Sequence, residues 1–280
     1  MKFVSHRDIT LATQAFGSAA DPALILVMGA TASMLTWPDE LCAALAQRGL
    51  HVIRFDHRDT GQSTSVPLGT ATYSVEDLAG DVLAVADAYG LERFHLAGMS
   101  LGAYIAQMLA LDAPDRIASL TLISAEPLGW DGPALPHISE EFLEHFGKLA
   151  ELDWTDRDAV TGFLFEIDRL SAGPAGLLDP AATRARIGQI LDRAENPQSM
   201  FNHGNVTTTR DWTGRFRDIT APTLVIHGEF DPILRLANGE ALADGIPGAE
   251  LLVLHGVGHE LPPADLPRIA DAIARHVLAK

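Results

Sequence analysis

Two hydrophobic rhythms alternate along the chain. "PALILVMGA" (22–30), "HVIRFDHRD" (51–59), "RFHLAGM" (93–99) and "IASLTLISA" (117–125) are short, nearly continuous apolar runs, as strands buried on both faces would be. "RDITLATQAFG" (7–17) reads as a weaker strand ahead of them. "WPDELCAALAQRG" (37–49), "SVEDLAGDVLAVADAYG" (74–90) and "LGAYIAQMLAL" (101–111) carry apolar residues at helical spacing between the strands. Strand following helix in this way predicts an α/β fold with a mostly parallel central sheet of about eight strands, flanked by helices.

The rhythm lapses between residues 126 and 220. Trp130, Phe142, Phe146, Trp154, Phe163, Phe165, Phe201 and Trp212 fall there among short helical segments, with a Gly/Pro break at "SAGPAGLLDP" (171–180). It then returns as a strand at "PTLVIHGEFDPI" (222–233), a helix at "LANGEALADGI" (236–246), a strand at "AELLVLHGVGH" (249–259) and a helix at "LPRIADAIARHVLA" (266–279). The simplest organisation is one α/β core, residues 1–125 and 221–280, interrupted by a helical cap insertion over 126–220.

Composition narrows the function. At 280 residues, 47% of them hydrophobic, the chain has material for one large core. A net charge of −17 with no basic run argues against a nucleic-acid partner, which would need clustered Lys and Arg. The single cysteine, Cys42, excludes an internal disulfide and falls on the 37–49 helix, where it reads as a small buried apolar residue. "MKFVSHRDITLATQAFG" is too polar for a signal peptide and no apolar run reaches membrane-spanning length, so a cytoplasmic protein with no membrane partner is expected.

The candidate chemistry centres on "HLAGMSLGAYIAQML" (95–109), where an apolar strand gives way to a helix at Ser100 with no linker. G-x-S-x-G in a strand–turn–helix setting is what a nucleophile elbow requires, because glycines at 98 and 102 leave room for a strained turn that lifts the serine out of the sheet. The competing reading is an ordinary crossover with an incidental serine. Asp231 and His259 each follow a strand and so fall at the carboxyl edge of the sheet, in the chain order Ser, Asp, His that an acyl-transfer triad on this elbow takes. Glu126, at the end of the 117–125 strand, is a second candidate for the acid. His255 precedes His259 by four residues, the spacing of a helical metal pair, but Gly256 and Gly258 break any helix there. Asp56, His57 and Asp59 read as a loop bracing the floor of the site, and His227 as a structural histidine. No G-x-G-x-x-G follows a strand and no P-loop occurs, so no cofactor and no metal are expected.

"GMSLG", "HGEFDPI" and "GVGHELP" resemble the elbow, acid loop and histidine loop of the α/β-hydrolase superfamily. "DHRDTGQST" resembles its D-x-R-G-x-G-x-S turn, with Asp59 and Thr60 departing from the usual glycine pattern. More narrowly, "LILVMGA", "WPDEL" and "GLHVIRFDHRDTGQST" are similar to the anthracycline methylesterases of the aclacinomycin type. The resemblance implies a serine carboxylesterase acting through an acyl-enzyme on a small hydrophobic ester, such as the methyl ester of a bulky polyketide-like compound. Ser100 would be the nucleophile, His259 the base and Asp231 the acid, in preference to Glu126. The backbone N–H groups of Ala30 and Leu101 would form the oxyanion hole. Trp130, Phe142 and Met28 are the candidates for the substrate pocket. The same residues would serve a carbon–carbon bond hydrolase or an acyltransferase, and the fold also serves non-catalytic small-molecule receptors.

Overall fold

Inner strands of the sheet are covered on both faces. In the computed structural model, which describes residues 1–174 and 178–279, β3 (Ala23–Val27), β4 (His51–Phe55) and β7 (Thr223–Gly228) are buried at every position. Five further strands complete one sheet: β1 (Lys2–His6), β2 (Ile9–Phe16), β5 (Phe94–Met99), β6 (Ile117–Ile123) and β8 (Glu250–Leu254). The eight lie in the order β1-β2-β4-β3-β5-β6-β7-β8. β2 pairs antiparallel with both β1 and β4, and from β4 to β8 the pairing is parallel.

β1 is an element that the apolar rhythm did not predict. Only Val4 of its five residues is buried, and Phe3 is exposed, as on an edge strand wetted on one side. It is held by its register with β2 and by the Thr13 hydroxyl, which donates to the Lys2 carbonyl at 2.8 Å.

Each face of the sheet has its own apolar layer, which accounts for the alternation in the sequence. Helices α2 (Val75–Ala88), α3 (Leu101–Asp112) and α7 (Leu236–Gly245) contribute Val82, Ile105 and Leu242 to one layer. Helices α1 (Asp39–Gln47) and α8 (Leu266–Leu278) contribute Leu41, Leu45, Ile269 and Ile273 to the other. Cys42 lies within this second layer, where burial pushes its thiol up to about 12 and leaves it unreactive. α2 starts on a capping box: the Ser74 side chain accepts from the Asp77 N–H, and the Asp77 carboxylate accepts from the Ser74 N–H.

Between β6 and β7 runs the helical insertion: α4 (Glu140–Gly147), α5 (Arg157–Ser171), α6 (Pro180–Arg193) and a 3-10 segment, Pro197–Asn205. It packs around small cores of its own, with Phe163, Ile190, Met200 and Phe201 in one and Val160, Ile187 and Leu191 in another. The Gly/Pro break at 171–180 falls between α5 and α6, and its residues 175–177 lie outside the described residues. Among the described residues no helix is long and apolar enough to cross a membrane.

Candidate active site

Ser100 joins the end of β5 to the start of α3 with backbone angles φ 53° and ψ −120°, left-handed territory for a residue with a side chain. Such a conformation costs on the order of 1–3 kcal/mol and persists only where neighbours enforce it. Here the Ser100 N–H donates to the Ile123 carbonyl on β6 at 2.9 Å, and its own carbonyl accepts from Ala103 N–H at 2.9 Å and Tyr104 N–H at 3.1 Å. The flanking glycines allow the turn. A Cβ on Gly98 would overlap the Gly102 carbonyl, and one on Gly102 would overlap the Val27 carbonyl. Gly102→Ala is therefore expected to destabilise the protein by about 1–3 kcal/mol, as overpacking of an interior does, read as a lowered Tm.

Asp231 and His259 stand on the loops that leave β7 and β8. Asp231 is completely buried, and its Oδ1 accepts from the N–H groups of Ile233 at 2.9 Å and Leu234 at 2.8 Å. Its Oδ2 accepts from His259 Nδ1 at 2.7 Å, which leaves His259 Nε2 as the free face of the ring. Burial works to raise the Asp231 carboxyl, but the facing His259, His227 and the Leu234 N–H outweigh it and hold the group below the usual carboxylate range. The His259 side chain is 10% exposed, and its loop is fixed from the insertion, since His259 N–H donates to the Ser171 carbonyl at 2.8 Å. His227 donates from Nε2 to the Leu234 carbonyl at 2.7 Å and lies 3.6 Å from Asp231 Oδ2. Glu126, the other candidate acid, instead pairs with His137 of the insertion at 3.0 Å.

The loop after β3 closes the site from the other side. A Cβ on Gly29 would stand 3.2 Å from Ser100 Cβ, so this loop lies directly against the serine. Ala30 follows Gly29 in it. Leu101 is the first residue of α3, and an N–H in the first turn of a helix has no acceptor within the helix. The "DHRDTGQST" turn underpins the loop. His57 Nε2 donates to the Met28 carbonyl at 2.9 Å, and Asp56 accepts from Met34 N–H at 2.8 Å while pairing with Arg193 of α6 at 2.9 Å. Burial takes His57 down to about 3, so the ring stays neutral. Asp59 is occupied by the Val66 N–H, the Tyr73 hydroxyl and the Asn202 amide. Among the described residues no three His, Cys, Asp or Glu side chains form a group that could hold a metal ion.

The aromatic candidates part company. Phe142, buried on α4, stacks on Phe146 with ring centroids 5.2 Å apart. The Trp130 ring packs on Phe216 at 5.9 Å beneath the Arg217 guanidinium, and its Nε1 donates to the Pro133 carbonyl at 2.7 Å. Met28 is 2% exposed in the loop beside Ser100.

Comparison with known proteins identifies the fold. The sequence model of the alpha/beta hydrolase fold family matches residues 22–263. Rhodomycin D methylesterase DauP from Streptomyces sp. (strain C5) is 32% identical, in an alignment covering 99% of this chain and 98% of that protein. A hydrolase from Pseudomonas aeruginosa PA01 superposes with a TM-score of 0.74 at 26% identity, covering 100% of this chain and 98% of that one. The esterase RhEst1 from Rhodococcus sp. ECU1013 shares the fold, with a TM-score of 0.77 at 23% identity over 99% of this chain and 98% of its own.

Proposed function

Given that the chain belongs to the alpha/beta hydrolase fold family, we propose that it is a serine carboxylesterase working through an acyl-enzyme. The observation that carries the proposal is the 2.7 Å bond between His259 Nδ1 and a buried, ionised Asp231, on the same sheet edge as a serine held at φ 53°. In this reading Ser100 Oγ attacks the ester carbonyl as His259 Nε2 takes its proton, and the same ring then protonates the leaving alcohol. A water deprotonated by His259 attacks the acyl-enzyme, releasing the acid and restoring Ser100. Asp231 fixes the imidazole tautomer and stabilises its positive form. The N–H groups of Ala30 and Leu101 receive the developing oxyanion, each worth about 10²–10³ in rate.

The likeness to a protein named as a methylesterase supports the methyl ester of a bulky, apolar polyketide-like molecule as the substrate. Met28, Trp130 and Phe142 are the residues proposed to line its acyl pocket, and residues 126–220 the cap that closes over it. A fluorophosphonate probe tests the chemistry directly. The expected result is one phosphonyl adduct, on the peptide carrying Ser100, with ester hydrolysis lost in proportion to labelling. No adduct, or an adduct elsewhere with hydrolysis retained, overturns the proposal.

A further inference from the structure

Thr31, at the far end of the loop beside Ser100, has φ 61°. A β-branched residue in that region is a genuine outlier and needs something to hold it there. The holder comes from the insertion: Thr31 N–H donates to His203 Nδ1 at 3.1 Å, across 172 residues of sequence. His203 is 5% exposed, and its other nitrogen, Nε2, donates to the Arg58 carbonyl at 2.8 Å. Accepting at Nδ1 and donating at Nε2 admits a single, neutral tautomer. Burial favours the same state, keeping His203 below the usual histidine range.

The segment bearing His203 is itself tied to the core. Ser199 Oγ donates to the Asp59 carbonyl at 2.9 Å and Asn202 Nδ2 to the Asp59 carboxylate at 3.0 Å. The His203 ring also meets His57 edge-on, with centroids 5.8 Å apart. The two histidines therefore bracket the loop. His57 fixes the peptide unit between Met28 and Gly29 through its carbonyl, and His203 fixes the unit between Ala30 and Thr31 through its N–H. The unit left between them carries the Ala30 N–H and is held at both ends by these neighbours.

We infer that His203 is a positioning residue of the oxyanion hole, by which the insertion aims the Ala30 N–H at the reacting carbonyl. This rests on the serine esterase reading above. It makes the insertion part of the catalytic frame as well as a cover, and the effect belongs to kcat, because the oxyanion exists only in the transition state and the intermediate.

Two substitutions separate the two nitrogens. His203→Asn keeps an acceptor near Nδ1 for Thr31, and His203→Gln keeps a donor near Nε2 for Arg58. With p-nitrophenyl acetate, His203→Gln is expected to lower kcat about 10- to 10²-fold with KM changed less than about twofold, the scale of a misaimed catalytic group. His203→Asn should recover most of that kcat at a similar Tm. Wild-type kcat in His203→Gln, or equal kcat losses in both variants that track their Tm, overturns the assignment of His203 alone. Full hydrolysis by Ser100→Ala under the same conditions overturns the esterase reading, and the His203 proposal with it.

Discussion

Ser100→Ala is expected to lower kcat for ester hydrolysis about 10⁵- to 10⁶-fold, the scale of losing the nucleophile from a working triad. The same variant should keep its Tm within about 2 °C of wild type. Both halves follow from the elbow. The Ser100 side chain makes no capping bond to α3, and its structural hydrogen bonds run through the backbone, to Ile123, Ala103 and Tyr104. Alanine keeps all of them, and at φ 53° it bears the same kind of strain as serine. A side chain whose loss leaves stability intact and removes activity is one the fold holds in a strained position for chemistry. The pairing is informative because the alternatives predict different pairs. An incidental serine in a crossover turn gives unchanged activity with unchanged Tm. A structural serine gives losses in both.

What the sequence made legible was what short stretches of chain determine. Ser100 could be read because the elbow lies within five residues, and the glycines at 98 and 102 have no room for a Cβ. Asp231 and His259 could be placed on one sheet edge because each follows a strand whose apolar run is evident in its own residues, although β8 proves half-buried and their hydrogen bond needed the fold to be observed. His203 gave no comparable signal. It is a lone histidine in an aperiodic segment, and its partners, Thr31 and Arg58, are offered backbone to backbone-seeking ring rather than by any residue type a pattern could catch. The left-handed φ of Thr31 was hidden for the same reason, since nothing about a threonine announces it. β1 escaped because an exposed edge strand with one buried residue has no apolar run. Trp130 and Phe142 look alike in sequence as bulky aromatics in one insertion, and only the packing separates a ring on Phe216 from a ring on Phe146.

Asp231→Asn is expected to lower kcat about 10⁴-fold, with Glu126→Gln remaining within a few-fold of wild type. An asparagine at 231 can keep its carbonyl oxygen where Oδ1 now accepts from the Ile233 and Leu234 N–H groups, so the loop after β7 retains its shape. The atom replacing Oδ2 is then an NH₂ group facing His259 Nδ1. A donor there turns the ring to the tautomer with its proton on Nε2, which cannot accept from Ser100, and it supplies no charge to stabilise an imidazolium. Glu126 faces His137 instead, at 3.0 Å, and no contact joins it to His259 among the described residues. Were Glu126 the acid, the two variants would exchange phenotypes, and steady-state kcat on one ester decides between them. The ionised state of Asp231 adds a second readout. Its carboxyl is held below the ordinary range in the folded protein, so it contributes stability that is complete above the unfolded carboxylate range and is lost as pH falls through the folded value. Asp231→Asn removes that titration, and its Tm should decline less steeply on acidification than that of the wild type.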